Sequence, residues 1–327
     1  MHTSTRTIVL FIAIASQGTR SLKLNAPTLQ LSRRFLLSTG GFTAMTLTGG
    51  LPPAIATTPI LSPKVDENSV TIDVNGVSRK YEARPLPKGF DKGLEYPVKD
   101  ISVDVFGPEG TAEFEESWPF TKGDMKRVDE SDDSSFYDAP RLVYHIDGGA
   151  VAALTSYYAS TIKPKSDILD ICSSWVSHYP TDFPTKMGRI VGTGMNGLEL
   201  SANTQLTGGF VASDLNKKPT LPFPDASFDV VTCVVSVDYL VNPLEVFKEV
   251  RRVLRPGGRF VLSQSNRLFF SKAIAKWVGL GDLGRLEIIG DYFHYAGGFA
   301  QPKAFDITAK GNRNYKDPMY IVEATKL

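Results

Sequence analysis

Side chains able to do chemistry fall at the ends of four predicted strands. These are Asp170 on Asp167–Cys172, Asn196 beyond Arg189–Thr193, Asp214 closing Phe210–Asn216, and Ser236-Val237-Asp238-Tyr239 closing a Val-rich run. In doubly wound sheets, ligands bind outside the carboxyl ends of the strands. A carboxylate such as Asp238 can serve there as a general base or orient a donor hydroxyl, and the face of Tyr239 can stabilise a cationic centre. Each has a plainer use: Asp238 as a cap, Tyr239 as packing, Asp214 as a turn into Leu221-Pro222-Phe223. Asn196 with Glu199 three residues on has the spacing of a capping box. His294 lies in Gly290–Phe299, a stretch dense in glycine and polar aromatics that reads as a lid over a binding site. An unperturbed histidine titrates near about 6.5, so His294 is the first candidate for a general base, with packing among the rings as the alternative. No metal is expected at these residues.

The elements that must hold these groups centre on Leu221–Asn266. Phe228–Val237 suits a strand buried on both faces of a parallel sheet. Asn242 and Pro243 open a helix, as an Asx cap and a proline at the first helical position. Leu244, Phe247, Val250, Val253 and Leu254 recur at helical spacing, with the charged residues mostly on the wet side. Arg252 and Arg255 suit the negative end, Pro256-Gly257-Gly258 stops the helix, and Arg259–Ser263 begins the next strand. Strand, crossover helix and strand make half of a doubly wound α/β domain.

The run LPFPDASFDVV followed by VFKEVRRVLRPGGRFVLS resembles the class I S-adenosylmethionine-dependent methyltransferases, in particular the methyltransferase type 11 group. The resemblance is clear over Pro164–Ser265 and looser to Leu327. It implies a mostly parallel seven-stranded Rossmann-like sheet, S-adenosylmethionine as cofactor, and a small-molecule acceptor that the sequence does not name. Members usually carry a G-x-G-x-G loop after the first strand; the matching positions here are Cys172-Ser173-Ser174-Trp175-Val176. Glycines allow close backbone approach and positive φ, which Val176 cannot adopt cheaply, so the loop must take another path.

The resemblance assigns Asp170 to the methionine ammonium, with capping of the turn as its alternative. Cys172, Ser173 and Ser174 lie at the tail, where a serine hydroxyl can meet the carboxylate. The family's ribose acid would fall near Gly194 and is absent; Asn196 is one substitute, or a plain helix cap, and Glu199 is a third option. Asp214 matches the acceptor for the adenine amine, Leu215 the side chain beside the ring, and Ser236 the end of the central strand. The missing acid and glycines also argue against a nicotinamide dinucleotide enzyme.

The chain of 327 residues has a net charge of +1, with 42% hydrophobic and 22% charged residues. That describes an ordinary globule with a sizeable core and gives no electrostatic case for nucleic acid. Two cysteines make no disulfide framework. Residues 1–56 read as a layered leader. Thr7–Ala15 is a signal-like apolar core and Gly18–Gln30 is basic, with no acid before Asp66. Ser32-Arg33-Arg34-Phe35-Leu36-Leu37 opens a twin-arginine-like signal ending at Ala54-Ile55-Ala56. This leader resembles those of plastid proteins in algae with complex plastids, addressing the thylakoid lumen, or ending in the stroma. No membrane contact is indicated after its removal.

Residues 57–135 read as an N-terminal extension packed on the domain of 136–327. Val70–Val74, Asn75-Gly76 and Val77–Ala83 suggest a hairpin, Ile101–Phe106 a strand, and Asp124–Asp133 a solvated loop or short helix. Tyr137–Ile162 has a helical pattern, Phe269–Val278 suggests a helix, and Met319–Lys326 a terminal strand. Two functions fit the whole: a methyltransferase, or a methyltransferase-fold binding or assembly factor that no longer turns over. Fold alone does not choose between them.

Overall fold

The computed structural model describes residues 63–66, 68–74, 77–108 and 114–327; the expected leader and the Asn75-Gly76 turn lie outside them. Strands β1 (Lys64–Asp66), β2 (Ser69–Val74) and β3 (Val77–Arg84) form an antiparallel meander. Next come β4 (Lys99–Asp100), α1 (Ser102–Phe106), α2 (Asp133–Phe136) and β5 (Leu142–Val143). β5 pairs parallel with β3 and completes a small four-stranded sheet. Val70, Ile72, Ala83 and Leu142 from this sheet are buried against Trp175 and Ala202 of the following fold. The extension thus shares a core with the sheet domain.

That domain begins with α3 (Gly148–Thr161), capped by Asp147, whose Oδ1 accepts from Ala150 N at 3.0 Å. It continues with β6 (Asp167–Ile171), α4 (Phe183–Lys186), β7 (Arg189–Gly194), α5 (Gly197–Ala202) and β8 (Phe210–Ala212). The crossover expected from the sequence follows as β9 (Phe228–Val234), α6 (Pro243–Val253) and β10 (Leu254–Gln264). The chain closes with α7 (Ala275–Val278), α8 (Asp282–Ala296), β11 (Lys303–Asp306) and β12 (Tyr320–Thr325). Strand order is β4-β11-β12-β10-β9-β6-β7-β8. β10, β9, β6, β7 and β8 are parallel neighbours, and β12 inserts antiparallel between β10 and β11. The fold is α/β, doubly wound and Rossmann-like. Seven strands come from residues 167–325, and β4 adds a short eighth at the edge. Among the described residues, no helix is long and apolar enough to cross a membrane.

The sequence pattern explains the middle of the sheet. β9 and α6 bury Phe228, Val231, Val246, Phe247, Val250 and Val253 in one core with Phe260 and Leu262. Arg252 joins the helix end to the loop before β9, donating to the carbonyls of Leu221 and Phe223 at 2.8 Å and pairing with Glu249 and Asp225. Asn242 sits at the start of α6 but does not cap it with its side chain, which instead donates to Asn216 O at 3.3 Å. The Pro256-Gly257-Gly258 segment is a bulge inside β10, not a break before it.

Several other expectations change because tertiary contacts outbid local pattern. Ile101–Phe106 is helical after β4: Asp100 accepts from Ser102 N, and Phe106 packs on Gly290 of α8. Gly290–Ala296 belongs to α8, where Tyr292 and Phe293 pack on Phe247; it is not a lid loop, and the helix ends at Gly297 with φ +67°. The helix expected over 269–278 shrinks to α7. The amides of Ile274, Ala275 and Lys276 bond instead to carbonyls of Asp238, Lys126 and Asp124. The acidic 124–133 segment is not simply solvated. Lys272, fully buried, pairs with Asp129 at 3.0 Å and Asp133 at 3.1 Å, and Asp133 also accepts from Arg127 at 2.8 Å. Removing one partner of a buried ion cluster leaves uncompensated charge, so Lys272→Met should lower stability by on the order of 3 kcal/mol in urea denaturation. An unchanged midpoint would show that this cluster does not tether the extension.

Candidate functional site

A cavity of about 350 Å³ opens at the carboxyl ends of β6, β7, β8 and β9. Asp170, near the end of β6, is almost fully buried. Its Oδ2 accepts from Ser173 Oγ at 2.6 Å and its Oδ1 from Thr232 Oγ1 at 2.8 Å. Burial raises its carboxyl to about 6 despite those hydrogen bonds.

The loop that replaces the glycines takes its left-handed turns at Cys172 (φ +53°) and His178 (φ +59°), and Val176 is spared. Ser173 N donates to Thr193 O at 2.8 Å, which lays the loop flat on the end of β7. A Cβ at Gly194 would collide with the Ser173 carbonyl. Trp175 is buried and donates from Nε1 to Val143 O at 2.9 Å, pinning the loop to the small sheet. Ser174 Oγ donates to Glu199 Oε2 at 2.5 Å. Both serines line the cavity, but their hydroxyl protons are given to Asp170 and Glu199 and are not free for an incoming carboxylate.

At β7 the capping role decides for Asn196. Its Oδ1 accepts from Leu198 N and Glu199 N at 2.8 and 3.1 Å, and its Nδ2 donates to the carbonyls of Tyr137 and Asp138. A ribose role for Asn196 is therefore withdrawn. Glu199 is the carboxylate on that wall, held by Arg141 N at 2.7 Å and by Ser174. At β8, Asp214 Oδ1 accepts from Asn216 N at 2.9 Å, while Oδ2 is buried with no hydrogen-bond partner among the described residues. Leu215 and Ser236 line the same cavity, and Ser236 Oγ donates to Val234 O at 2.7 Å.

The expected catalytic trio separates. β9 ends at Val234 because Val235 turns with φ +38°, and Val237–Tyr239 form a short 3-10 turn. Tyr239 reaches the cavity, and its hydroxyl accepts from Phe269 N at 2.8 Å. Asp238 points into the core instead: it is wholly buried, outside the cavity lining, and neither carboxyl oxygen has a partner among the described residues. Burial raises it to about 8, so it is protonated at neutral pH and is no general base there. His294 is exposed near the end of α8, stacked on Phe114 at 3.6 Å, and is not a cavity residue. Its role as base is withdrawn with the lid.

The cavity also holds groups that sequence reasoning passed over. Tyr137, Arg141, Tyr144 and His145 come from the segment before α3, His178 from the loop after β6, and Phe269 from the loop after β10. Burial lowers His178 to about 4, and burial with the nearby Arg141 charge lowers His145. The signal was present: a capping Asp147 before Gly148-Gly149 starts the helix late and leaves Tyr137–His145 as a loop rich in rings and bases.

Residues 185–262 match the family model described as a methyltransferase domain. A sterol 4-C-methyltransferase of Caenorhabditis elegans is 44% identical over 52 residues, 16% of this chain and 15% of that protein. A probable S-adenosylmethionine-dependent methyltransferase of Mycolicibacterium smegmatis is 47% identical over 51 residues, covering 16% and 20%. A demethylmenaquinone methyltransferase of Lysinibacillus sphaericus is 30% identical over 115 residues, covering 32% and 47%. The chain thus spans less than half the length of these curated relatives. Among solved structures, a SAM-dependent methyltransferase of Thermotoga maritima, possibly a histamine N-methyltransferase, overlays with TM-score 0.41 at 16% identity, covering 55% of this chain and 90% of that one.

A methyltransferase domain implies S-adenosylmethionine as the cofactor, and the cavity fits it. The orphaned Asp214 Oδ2 suits an amine donor, Leu215 a flat ring, and Asp170 a cationic ammonium. Gly194→Ala should push the Ser173 loop off β7 and weaken S-adenosylhomocysteine binding by about tenfold or more in calorimetry, since a Cβ has no room there. Affinity equal to wild type would mean that the contact does not shape the pocket. Asp238 is raised from about 3.9 in the unfolded chain to about 8 in the fold, so its contribution to stability is full at low pH and is lost as pH rises through about 8. Asp238→Asn should flatten that decline, by up to about 1.4 kcal/mol per pH unit, in thermal unfolding between pH 5 and pH 9. Parallel curves for the two proteins would place Asp238 in contact with water.

Proposed function

We propose that this protein is an S-adenosylmethionine-dependent methyltransferase acting on a small-molecule acceptor. The observation that carries the reading is a cavity at the strand ends lined by both Asp170 and Asp214, with Asp214 Oδ2 buried and without a hydrogen-bond partner among the described residues. These two carboxylates stand at the ends of β8 and β6, on either side of the β7 end. In this reading Asp214 accepts from the adenine amine, Leu215 packs on the ring, Glu199 meets the ribose, and Asp170 holds the ammonium. When bound, the cofactor supplies a methyl group on a sulfonium, activated for in-line attack. The chain's own work is then positioning: Tyr239 and Phe269 close one side over the strand ends and Ser236 marks the end of the central strand. Such positioning can supply most of the rate gain in transfer to a held nucleophile.

The acid-free leader of residues 1–56 supports a plastid destination, the thylakoid lumen or the stroma, and a fluorescent fusion imaged against chlorophyll distinguishes them.

Asp214→Ala should weaken S-adenosylhomocysteine binding by about ten- to a hundredfold in calorimetry, because a charge-assisted hydrogen bond is lost, while the protein stays folded with a midpoint lowered only by loss of the Oδ1 turn bonds. Unaltered affinity would remove the adenine assignment. Asp170 supplies a pH test. Its folded carboxyl is raised to about 6, and an ammonium beside it favours the ionised form. Affinity should therefore rise by up to about tenfold per pH unit below about 6 and level off above it, with proton release visible as buffer-dependent heat. A flat profile from pH 5 to pH 7.5 would detach Asp170 from the ammonium.

A further inference from the structure

Next to Asp214, whose neighbour Asn216 donates to Tyr239 O at 2.9 Å, the cavity is lined by rings and positive charge. Phe269 stands at the centre of that side, with ring centroids 5.3 Å from Phe136, 5.5 Å from His145 and 5.8 Å from Tyr239. The Arg141 guanidinium lies 4.3 Å over Phe136, 5.4 Å over Phe269 and 5.9 Å over Tyr137. It forms no ion pair with any acid among the described residues; Glu199 takes only its backbone amide. A guanidinium that packs on rings without an ion pair keeps N–H donors for an oxyanion. The acids of the cavity are taken: Asp133 pairs with Arg127 and Lys272, and Asp170, Glu199 and Asp214 serve the cofactor in the reading above. His145 sits at φ +54° with its ring on Phe269. Burial and the Arg141 charge keep it neutral at pH 7, so a ring nitrogen has a free lone pair. Strained backbone of this kind persists where the surroundings over-determine it, and it clusters at functional sites.

We propose that the acceptor is a flat, weakly acidic hydroxyl compound, a phenol or quinol, whose ring lies against Phe269 and Tyr239. Its hydroxyl then faces Arg141 and His145. This rests on the methyltransferase reading and specifies its second substrate. An amine acceptor finds no free carboxylate on this side and meets the Arg141 charge. A carboxylic acid is already ionised and leaves a neutral histidine without use. For a phenol both groups have work: Arg141 favours the phenolate, and His145 receives the proton. The phenolic oxygen's electron pair forms the new bond to the methyl carbon, and the pair of the breaking carbon–sulfur bond stays on sulfur. The sulfonium becomes a neutral thioether, and His145 passes the proton to water.

4-Nitrophenol, whose anion absorbs visibly, is the probe, titrated spectroscopically in the presence of saturating S-adenosylhomocysteine. Bound nitrophenol should ionise at a pH lower by about one unit or more, a tenfold shift in its equilibrium, and Arg141→Met should abolish that shift while changing S-adenosylhomocysteine affinity by less than about threefold. His145→Asn, a side chain that tolerates positive φ, should keep the shift. It should also slow methylation of a catechol and remove the rising limb of its pH–rate profile. S-Adenosylhomocysteine binding with an unshifted nitrophenol would overturn the acceptor assignment alone. Arg141→Met that cuts S-adenosylhomocysteine affinity by more than about thirtyfold with the shift intact would hand Arg141 to the cofactor and overturn it as well. No S-adenosylhomocysteine binding at all would sink the methyltransferase reading and this proposal with it.

Discussion

The site depends on one backbone contact. Ser173 lies so close to the end of β7 that only a glycine at 194 leaves room for its carbonyl, and Ser173 N donates to Thr193 O at 2.8 Å. A glycine loop usually lets a ligand approach the backbone; here the loop itself makes the close approach, and the glycine requirement has moved to the neighbouring strand. That contact turns Ser173 and Ser174 towards Asp170 and Glu199 and sets Trp175 against the small sheet. The N-terminal extension is therefore part of the site's support. Its sheet buries Trp175, and through Trp175 it fixes the loop on which Asp170's surroundings depend.

Backbone strain follows the same geography. Six non-glycine residues of the described chain have positive φ, and four of them, His145, Cys172, His178 and Val235, line the cavity. Each left-handed residue costs on the order of 1–3 kcal/mol unless its surroundings force it. Their gathering at the strand ends argues that the cavity's shape is imposed by packing around it. Val235 shows the consequence: its turn ends β9 early and sends Asp238 into the core while Tyr239 stays at the cavity.

Buried charge is handled in two ways. Lys272, Asp133 and Arg127 are held as a mutually bonded cluster beside the cavity, which ties the 124–133 segment to the loop after β10. Asp238 has no such partner and is held protonated instead. Asp170 lies between these cases, bonded by two hydroxyls yet still raised to about 6, so its charge state responds to a cation in a way that a paired carboxylate would not.

The sequence by itself determined the α/β class, the β9–α6–β10 unit and the acids at the ends of β6 and β8. These follow from Val-rich runs, helical spacing and the position of Asp within a strand, all local signals that survive any packing of the rest. It did not determine the path of Cys172–His178, the cap role of Asn196, the inward turn of Asp238 or the helix that takes in His294. Those depend on partners distant in the chain: Val143 for Trp175, Tyr137 for Asn196, Phe247 for the face of α8, and the Lys126 carbonyl that unwinds the expected helix at Ala275. The ring-lined side with Arg141, His145 and Phe269 was invisible for the same reason, since two loops far apart in sequence meet there only once the sheet is formed. Spacing along the chain reports what one element can do alone. Which side chain faces a cavity is decided by where hydrogen-bond donors from other elements are satisfied.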